Sequence, residues 1–228
     1  MSSVYNSIPY IEDAVSLLRA LTATILPALE GLLANYQLQN QFGVVLAHRH
    51  FELMSEEEQV VDLSGCDIVV TSVFRNGKPD FKLVERYGLE VPDPFAVVPT
   101  KFLVGKKLVP YEYRCVPVED EDLYWTRISG LPSDFLAAWY EILERHDAKD
   151  QVGLIDIFAE ESVAGIEYTD VEQRVSVVHL SNNPPVQRGY VPTVWRIQDG
   201  SGPTRSCCCP AAFPDPDPIP ETTLALIL

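Results

Sequence analysis

Two histidines one residue apart, His48 and His50, lie in the apolar stretch AHRHFEL of a chain that has four histidines in all. If residues 42 to 50 form a β-strand, side chains two positions apart project to the same face, about 7 Å apart at Cα. Two imidazoles on one face can converge on a single divalent metal ion. The alternative is a structural pair at a strand end, hydrogen-bonded to nearby carboxylates. The sequence therefore predicts either a metal or acid–base site, or a polar pair with a structural role.

The surroundings of this pair resemble the first motif of the cupin family, in which a glycine, a His-x-His, a glutamate and a second glycine follow in that order. The matching residues here are Gly43, His48, His50, Glu58 and Gly65. The interval from His50 to the acid is longer than in that family unless Glu56 takes the place of Glu58. The second cupin motif has an asparagine four positions after a third histidine, as His179 and Asn183 do. The resemblance implies a bound divalent metal, with the ligands His48, His50, Glu58 and His179.

Three of the five cysteines are contiguous, at Cys207, Cys208 and Cys209. Cys207 and Cys209 lie two positions apart, so with the histidine pair they would complete a tetrahedral zinc set. The alternatives are exposed thiols, a palmitoylation site or an incidental cluster. The other two, Cys66 and Cys115, lie in strand-like sequence and are predicted to be small buried apolar groups.

Other chemical motifs in the sequence are less specific. His146 is predicted in the last turn of a helix, where an imidazolium would stabilise the helix C-terminus. Asp156, Glu160 and Glu161 offer a general acid and base, as any acidic chain does by chance. The sequence has no nucleophile elbow, phosphate-binding glycine loop, His-Glu-x-x-His or dinucleotide fingerprint. Nucleotide-dependent enzymes are therefore disfavoured.

The balance of charge excludes several classes of partner. The 228 residues include 33 acidic and 17 basic side chains, a formal charge of −16, which repels phosphate backbones and anionic lipids. The N-terminal stretch lacks the basic region of a signal peptide, and no window has the roughly 18 to 20 uninterrupted apolar residues of a membrane span. The cysteines do not form the framework of a small secreted domain. We therefore expect a soluble cytoplasmic protein with reduced thiols, no transmembrane segment and no nucleic-acid partner.

The hydrophobic periodicity predicts which elements position the histidines. Apolar residues at steps of three and four predict a helix over residues 11–37, kinked or divided at Pro27. From residue 42 the period changes to two, which predicts strands in the blocks 42–74 and 95–117. The acidic run EDED at 119–122 is predicted to be exposed, and the stretch LPSDFLAAWYEILERHDAKD after it to be a helix followed by more strands.

This order of elements predicts an α+β fold: an N-terminal helix, mostly antiparallel strands, a central helix and an irregular Pro-rich C-terminal tail. We expect a single domain over residues 1–205 and a Cys/Pro/Asp-rich tail over residues 206–228.

A wider pattern combines the N-terminal helix, the stretch FGVVLAHRHFEL and the strand VWRIQDG ahead of the cysteine cluster. It resembles a group of proteins from filamentous fungi that carry a similar His-Arg-His-Phe element and a cysteine-bearing C-terminus. The resemblance covers residues 40–65 and 190–210 and implies a lineage-restricted protein, for which specialised metabolism is a suitable role. Two functions remain open: a small-molecule enzyme that uses the His-x-His site with metal-assisted or acid–base chemistry, and a non-enzymatic acidic interaction protein with structural histidines. A peripheral membrane role through acylated cysteines is a third.

Overall fold

The computed structural model of the protein describes residues 2–63, 68–79, 85, 91–157, 164–181, 190–198 and 202–210. Within these residues, ten strands form one sheet that closes on itself. The strands are β1 (Phe42–Leu46), β2 (Glu57–Leu63), β3 (Ile68–Arg75), β4 (Phe95–Val104), β5 (Leu108–Pro117), β6 (Val152–Asp156), β7 (Ala164–Asp170), β8 (Val175–Ser181), β9 (Tyr190–Gln198) and β10 (Gly202–Pro210). The predicted strand blocks are thus present, and residues 105–107 form the turn that joins β4 to β5.

The order of strands around the sheet is β1-β6-β4-β5-β2-β3-β8-β7-β10-β9, and β9 pairs with β1 to complete the circuit. Of the pairings between described strands, β2 with β5 and β7 with β10 are parallel, and the others are antiparallel. The prediction of an α+β fold with mostly antiparallel strands is confirmed at this level. Such a sheet has one face directed inward and one outward, so alternate residues of each strand line its interior.

The N-terminal part is helical but irregular. It comprises α1 (Ser2–Tyr5), α2 (Ile11–Ala14), a 3₁₀ turn (Val15–Leu17), α3 (Leu18–Ala20), a π-helical turn (Leu21–Ile25) and α4 (Leu26–Asn35). The helix predicted over residues 11–37 is therefore present as consecutive segments. Pro27 lies in the first turn of α4, where a missing N–H costs little, and the π-helical turn directly precedes it. The predicted irregularity at the proline takes the form of this wider turn.

Helices cover part of the outer face of the sheet. The acidic run leads into α5 (Glu121–Ser129), and α6 (Ser133–Arg145) is the predicted central helix. Buried apolar residues of α4 and α6 pack against alternate residues of β1, which are Phe42, Val44 and Leu46. Val45, between them, packs instead with Ile155 and Val194 and therefore faces the interior. No helix in the described part of the chain has the length and apolar character needed to cross a membrane.

The cysteine triplet lies within β10, which pairs with β9 along its length. The predicted boundary between domain and tail, after residue 205, therefore falls inside a strand. Residues 211–228, which hold most of the predicted tail, lie outside the described residues.

Close approach of β6 to β4 requires a glycine at position 153. A Cβ atom added there would lie 2.5 Å from the carbonyl oxygen of Phe102 and 3.1 Å from Cγ1 of Val45. We expect Gly153→Ala to lower the free energy of unfolding by about 2 kcal/mol, because the backbone of β4 must move. The matched change Gly31→Ala adds a Cβ with nothing within 4 Å in α4, and should raise it by about 0.5–1 kcal/mol. Urea unfolding measures both changes in free energy. If Gly153→Ala were no less stable than Gly31→Ala, the contact between β4 and β6 would not require a glycine at position 153.

Candidate metal centre

The histidine pair follows β1 directly, in the segment that leaves the end of the strand. The His48 and His50 ring centroids lie 4.9 Å apart with an interplanar angle of 86°. Arg49 projects away from them: its backbone N–H donates to the Pro9 carbonyl at 2.9 Å, and its guanidinium lies 4.2 Å from the centroid of the Tyr10 ring. The strand is shorter than the 42–50 predicted, but the two imidazoles share one side as the alternation predicted.

A buried carboxylate completes the cluster. Glu167 lies in the middle of β7, and its Oε1 is 3.2 Å from Nε2 of His50. Only 8% of the His50 side chain and 11% of the Glu167 side chain are exposed. One ligand atom from each of His48, His50 and Glu167 lies within 4.8 Å of the other two. Two imidazoles and one carboxylate thus meet where little water reaches them.

The backbone fixes which nitrogen of His48 is available to a ligand. Nδ1 of His48 lies 2.8 Å from the carbonyl oxygen of Leu46. Because a carbonyl oxygen only accepts, Nδ1 carries the proton and the lone pair of the neutral ring is on Nε2. A histidine that donates one N–H to a carbonyl and offers the other nitrogen has the usual arrangement of a metal ligand.

The charge states within the cluster differ because each group has different neighbours. Burial, together with the neighbouring His50, lowers the pKa of His48 to about 4, so His48 is neutral at pH 7. Burial also disfavours the charged form of His50, but the Glu167 carboxylate outweighs burial and raises the pKa of His50. Burial would raise the pKa of Glu167, yet the charge and hydrogen bond of His50 hold it well below its usual value. Without a metal, the cluster thus consists of the neutral His48 imidazole beside the pair of His50 and Glu167, in which each group favours the charged form of the other.

A second buried ion pair acts on the same cluster. Lys101 of β4 places Nζ 2.5 Å from Oε1 of Glu112 of β5, and both charges influence the protonation of His50. The register between these strands shifts on either side of Lys101. Pro99 pairs with Tyr113, whereas Lys101 pairs with Glu112, so the irregularity brings Lys101 to the inner face.

The chain that precedes α2 covers the cluster at this end of the sheet. The side chains of Tyr5 and Ile8 are 1% exposed and pack with Phe51 and Leu53, among other residues. The Asn6 amide holds this cover in place: Nδ2 donates to the Leu53 carbonyl at 2.7 Å, and Oδ1 accepts from the Leu53 N–H at 2.8 Å. The cover and the histidine segment are therefore fixed to each other.

No family model matches the chain, and neither the curated proteins nor the solved structures compared with it give a match.

The structure does not bring Glu58 or His179 to the histidine pair. Glu58 of β2 pairs with Phe74 of β3. His179 of β8 pairs with Ile68 of β3 on one side and with Ile166 of β7 on the other. No register shift interrupts the pairings of these four strands. Partners in register share a face, so Glu58 and His179 lie on the face opposite to that of Glu167. The ring of His179 contacts Tyr168 instead, at 5.6 Å between centroids. The described structure therefore groups Glu167, and not Glu58 or His179, with the histidine pair.

The remaining sequence candidates have structural partners or lie outside the described residues. Asp156 pairs with Arg127 of α5 at 2.6 Å, and His146 is the C-cap of α6. Cys115 is buried, as predicted. The side chains of Cys66, Glu160, Glu161 and the cysteine triplet lie outside the described part of the chain.

Sequence reasoning missed Glu167, although the sequence contains a signal for it. The acid occupies the middle of the short strand-like stretch GIEYT. A carboxylate at an interior position of a short strand is buried if its parity directs it inward, and a buried carboxylate needs a cationic partner. That test would have added Glu167 to the candidates without naming His50 as its partner.

Proposed function

We propose that His48, His50 and Glu167 bind one divalent transition-metal ion, such as zinc or iron, and that the ion assists a reaction on a small organic molecule. The observation that supports this most strongly is the convergence of the three ligand atoms within 4.8 Å in a largely buried site. Two histidines and one carboxylate form a common catalytic ligand set, which leaves coordination positions open for water or substrate.

Two of the three ligand atoms already have the spacing expected in a loaded site. In a tetrahedral site with metal–ligand distances of about 2.0–2.2 Å, ligand atoms lie on the order of 3.3 Å apart. Nε2 of His50 and Oε1 of Glu167 already have a separation of 3.2 Å. The ligand atom of His48 lies within 4.8 Å of the other two and must move closer to them, and the His50 proton must leave when the metal binds.

The location of the site favours a small substrate. Glu167 lies on the inward face of β7 and the two histidines follow the end of β1, next to the chain segment that carries Tyr5 and Ile8. A macromolecule cannot reach such a site, whereas a small molecule would be held away from bulk water. Specialised metabolism in the cytoplasm of a filamentous fungus is the setting that we propose from the resemblance of the sequence.

Metal content is the first test of this proposal. We expect the untagged protein, purified without a chelator and offered zinc or iron(II), to retain about one equivalent of metal. His48→Ala/His50→Ala should lose it, while His179→Ala, which removes an imidazole from the other face, should retain it. Elemental analysis after gel filtration gives the stoichiometry, and circular dichroism checks that each variant is folded.

The proposal would be contradicted if the wild-type protein retained neither zinc nor iron after each had been offered. The His50–Glu167 pair would then remain as an acid–base pair or as a structural ion pair, the alternative left open by the sequence. If the folded double variant retained metal, the metal would instead bind elsewhere in the chain.

A further inference from the structure

A pocket of about 360 Å³ lies beside the covered end of the sheet, and its lining is cationic although the chain as a whole carries a charge of −16. Its charged residues are Glu57, Arg75, Lys78 and Arg174. We infer that this pocket is a binding site for a small organic oxyanion, a carboxylate or a phosphate.

Glu57 organises the two arginines. Its side chain is 1% exposed, and its oxygens accept from Arg75 Nη2 at 2.7 Å and from Arg174 Nη1 and Nη2 at 3.1 and 2.6 Å. The backbone N–H of Met54 also donates to it, at 2.7 Å. One arginine would neutralise one buried carboxylate, so the second leaves a positive charge that Glu57 holds in a fixed orientation.

A tight turn adds a third cation to the pocket. Asn76 and Gly77 have φ of 53° and 70°, which is typical of the Asn-Gly turn of a hairpin, and Lys78 forms a β-bridge with Arg75. Among the described residues, none provides an ion-pair or hydrogen-bond partner for the Lys78 ammonium. Even when the exposed Glu56 beside Arg75 is counted, cations outnumber carboxylates here.

Arg75 has donors left for a ligand. Arg75 lines the pocket, contacts Glu57 through Nη2 alone and has 65% of its side chain exposed, so Nη1 and Nε keep N–H donors for a ligand. An arginine whose orientation is already fixed binds an oxyanion with little further loss of side-chain entropy. A concave site of one charge sign also concentrates anions at its mouth.

The pocket adjoins the candidate metal centre. Val73 lines the pocket and packs against the apolar cluster that includes Tyr5. The Arg174 guanidinium lies 5.6 Å from the ring centroid of Phe51, the residue after His50, and that ring lies 6.3 Å from that of Tyr5. The anion site itself does not depend on a metal; its use as an anchor for the substrate rests on the proposed function.

Calorimetric titration with inorganic phosphate, succinate and the uncharged succinamide tests the inference on the full chain. We expect a single site for at least one anion and no binding of succinamide. Lys78→Gln should weaken anion binding by about tenfold, because it removes one charged hydrogen bond. The matched variant Lys106→Gln, which removes an exposed lysine in the β4–β5 turn, should bind as the wild type does. Whichever of phosphate and succinate binds more tightly shows whether the pocket prefers a phosphate or a carboxylate group.

The inference is overturned if neither anion binds, if succinamide binds as well as succinate, or if the two lysine variants weaken binding equally. The titration is done on protein passed over a chelating resin. Anion binding that persists in protein unable to bind metal would therefore support the pocket even where the metal proposal has failed.

Discussion

Replacing Glu167 with glutamine is expected to lower the zinc affinity of the protein by at least about 100-fold. Changes to groups that only orient ligands cost about 10–100-fold in metal affinity, so the loss of a ligand should cost more. The variant should also lose about 3 kcal/mol of stability, because it leaves His50 buried without its carboxylate. A competition titration against a zinc indicator and urea unfolding measure the two effects.

The same variant reports on the electrostatics of the pair. Burial opposes the positive charge of His50, and the Glu167 carboxylate, with a smaller contribution from Glu112, raises its pKa. In Glu167→Gln the pKa of His50 should fall below that of a free histidine, which proton NMR of the imidazole ring measures. Glu58→Gln is the matched control, since it makes the same change in β2 on the opposite face. Equal losses of zinc affinity in the two variants would contradict the assignment of Glu167 as the ligand.

Glu57→Gln is expected to lower the free energy of unfolding by about 3 kcal/mol at pH 7, because two arginines lose a buried carboxylate. Burial alone would raise the pKa of Glu57, but hydrogen bonds from Arg174 and Arg75 lower it to about 2. A carboxyl group whose pKa is lower in the folded state stabilises the fold fully above its unfolded pKa. That contribution is lost as the pH falls from about 4.5 to about 2.

The difference in stability between the wild type and Glu57→Gln should therefore be constant near neutral pH and shrink below pH 4.5. Urea unfolding from pH 7 to pH 3 follows this difference directly. Glu141→Gln, an exposed glutamate of α6, should show a small difference that changes little with pH. A difference between wild type and Glu57→Gln that stays constant down to pH 3 would show that Glu57 is not held ionised by the arginines.

The helices and the histidine pair were predictable because their signals are local. Helical periodicity over residues 11–37 and an amphipathic central helix depend on spacings of three and four, which the sequence displays directly. A spacing of two predicted that His48 and His50 share a side, and their rings do lie together although β1 ends at Leu46. Their inward direction was not predictable, because Phe42, Val44 and Leu46 face the helices outside the sheet and continued alternation would have turned both histidines the same way.

The acidic ligand was not predictable from the sequence because it depends on long-range register. Glu58 and Glu167 both lie within strands, and only the pairings from β2 through β3 and β8 to β7 decide which one faces the histidines. The inward position of Lys101 depends on an irregularity in the pairing of β4 with β5. A shift of one residue exchanges the two faces of a strand, so neither assignment follows from composition or spacing.

X-ray absorption of the protein loaded with one equivalent of zinc tests the central claim most directly. We predict nitrogen and oxygen ligands at about 2.0–2.2 Å, with imidazole scattering that is reduced in His50→Ala. Sulfur ligands at about 2.3 Å would place the metal at cysteines instead, and a shell of water oxygens without imidazole would mean that no such site exists. Either result would contradict the assignment of His48, His50 and Glu167 as a metal centre.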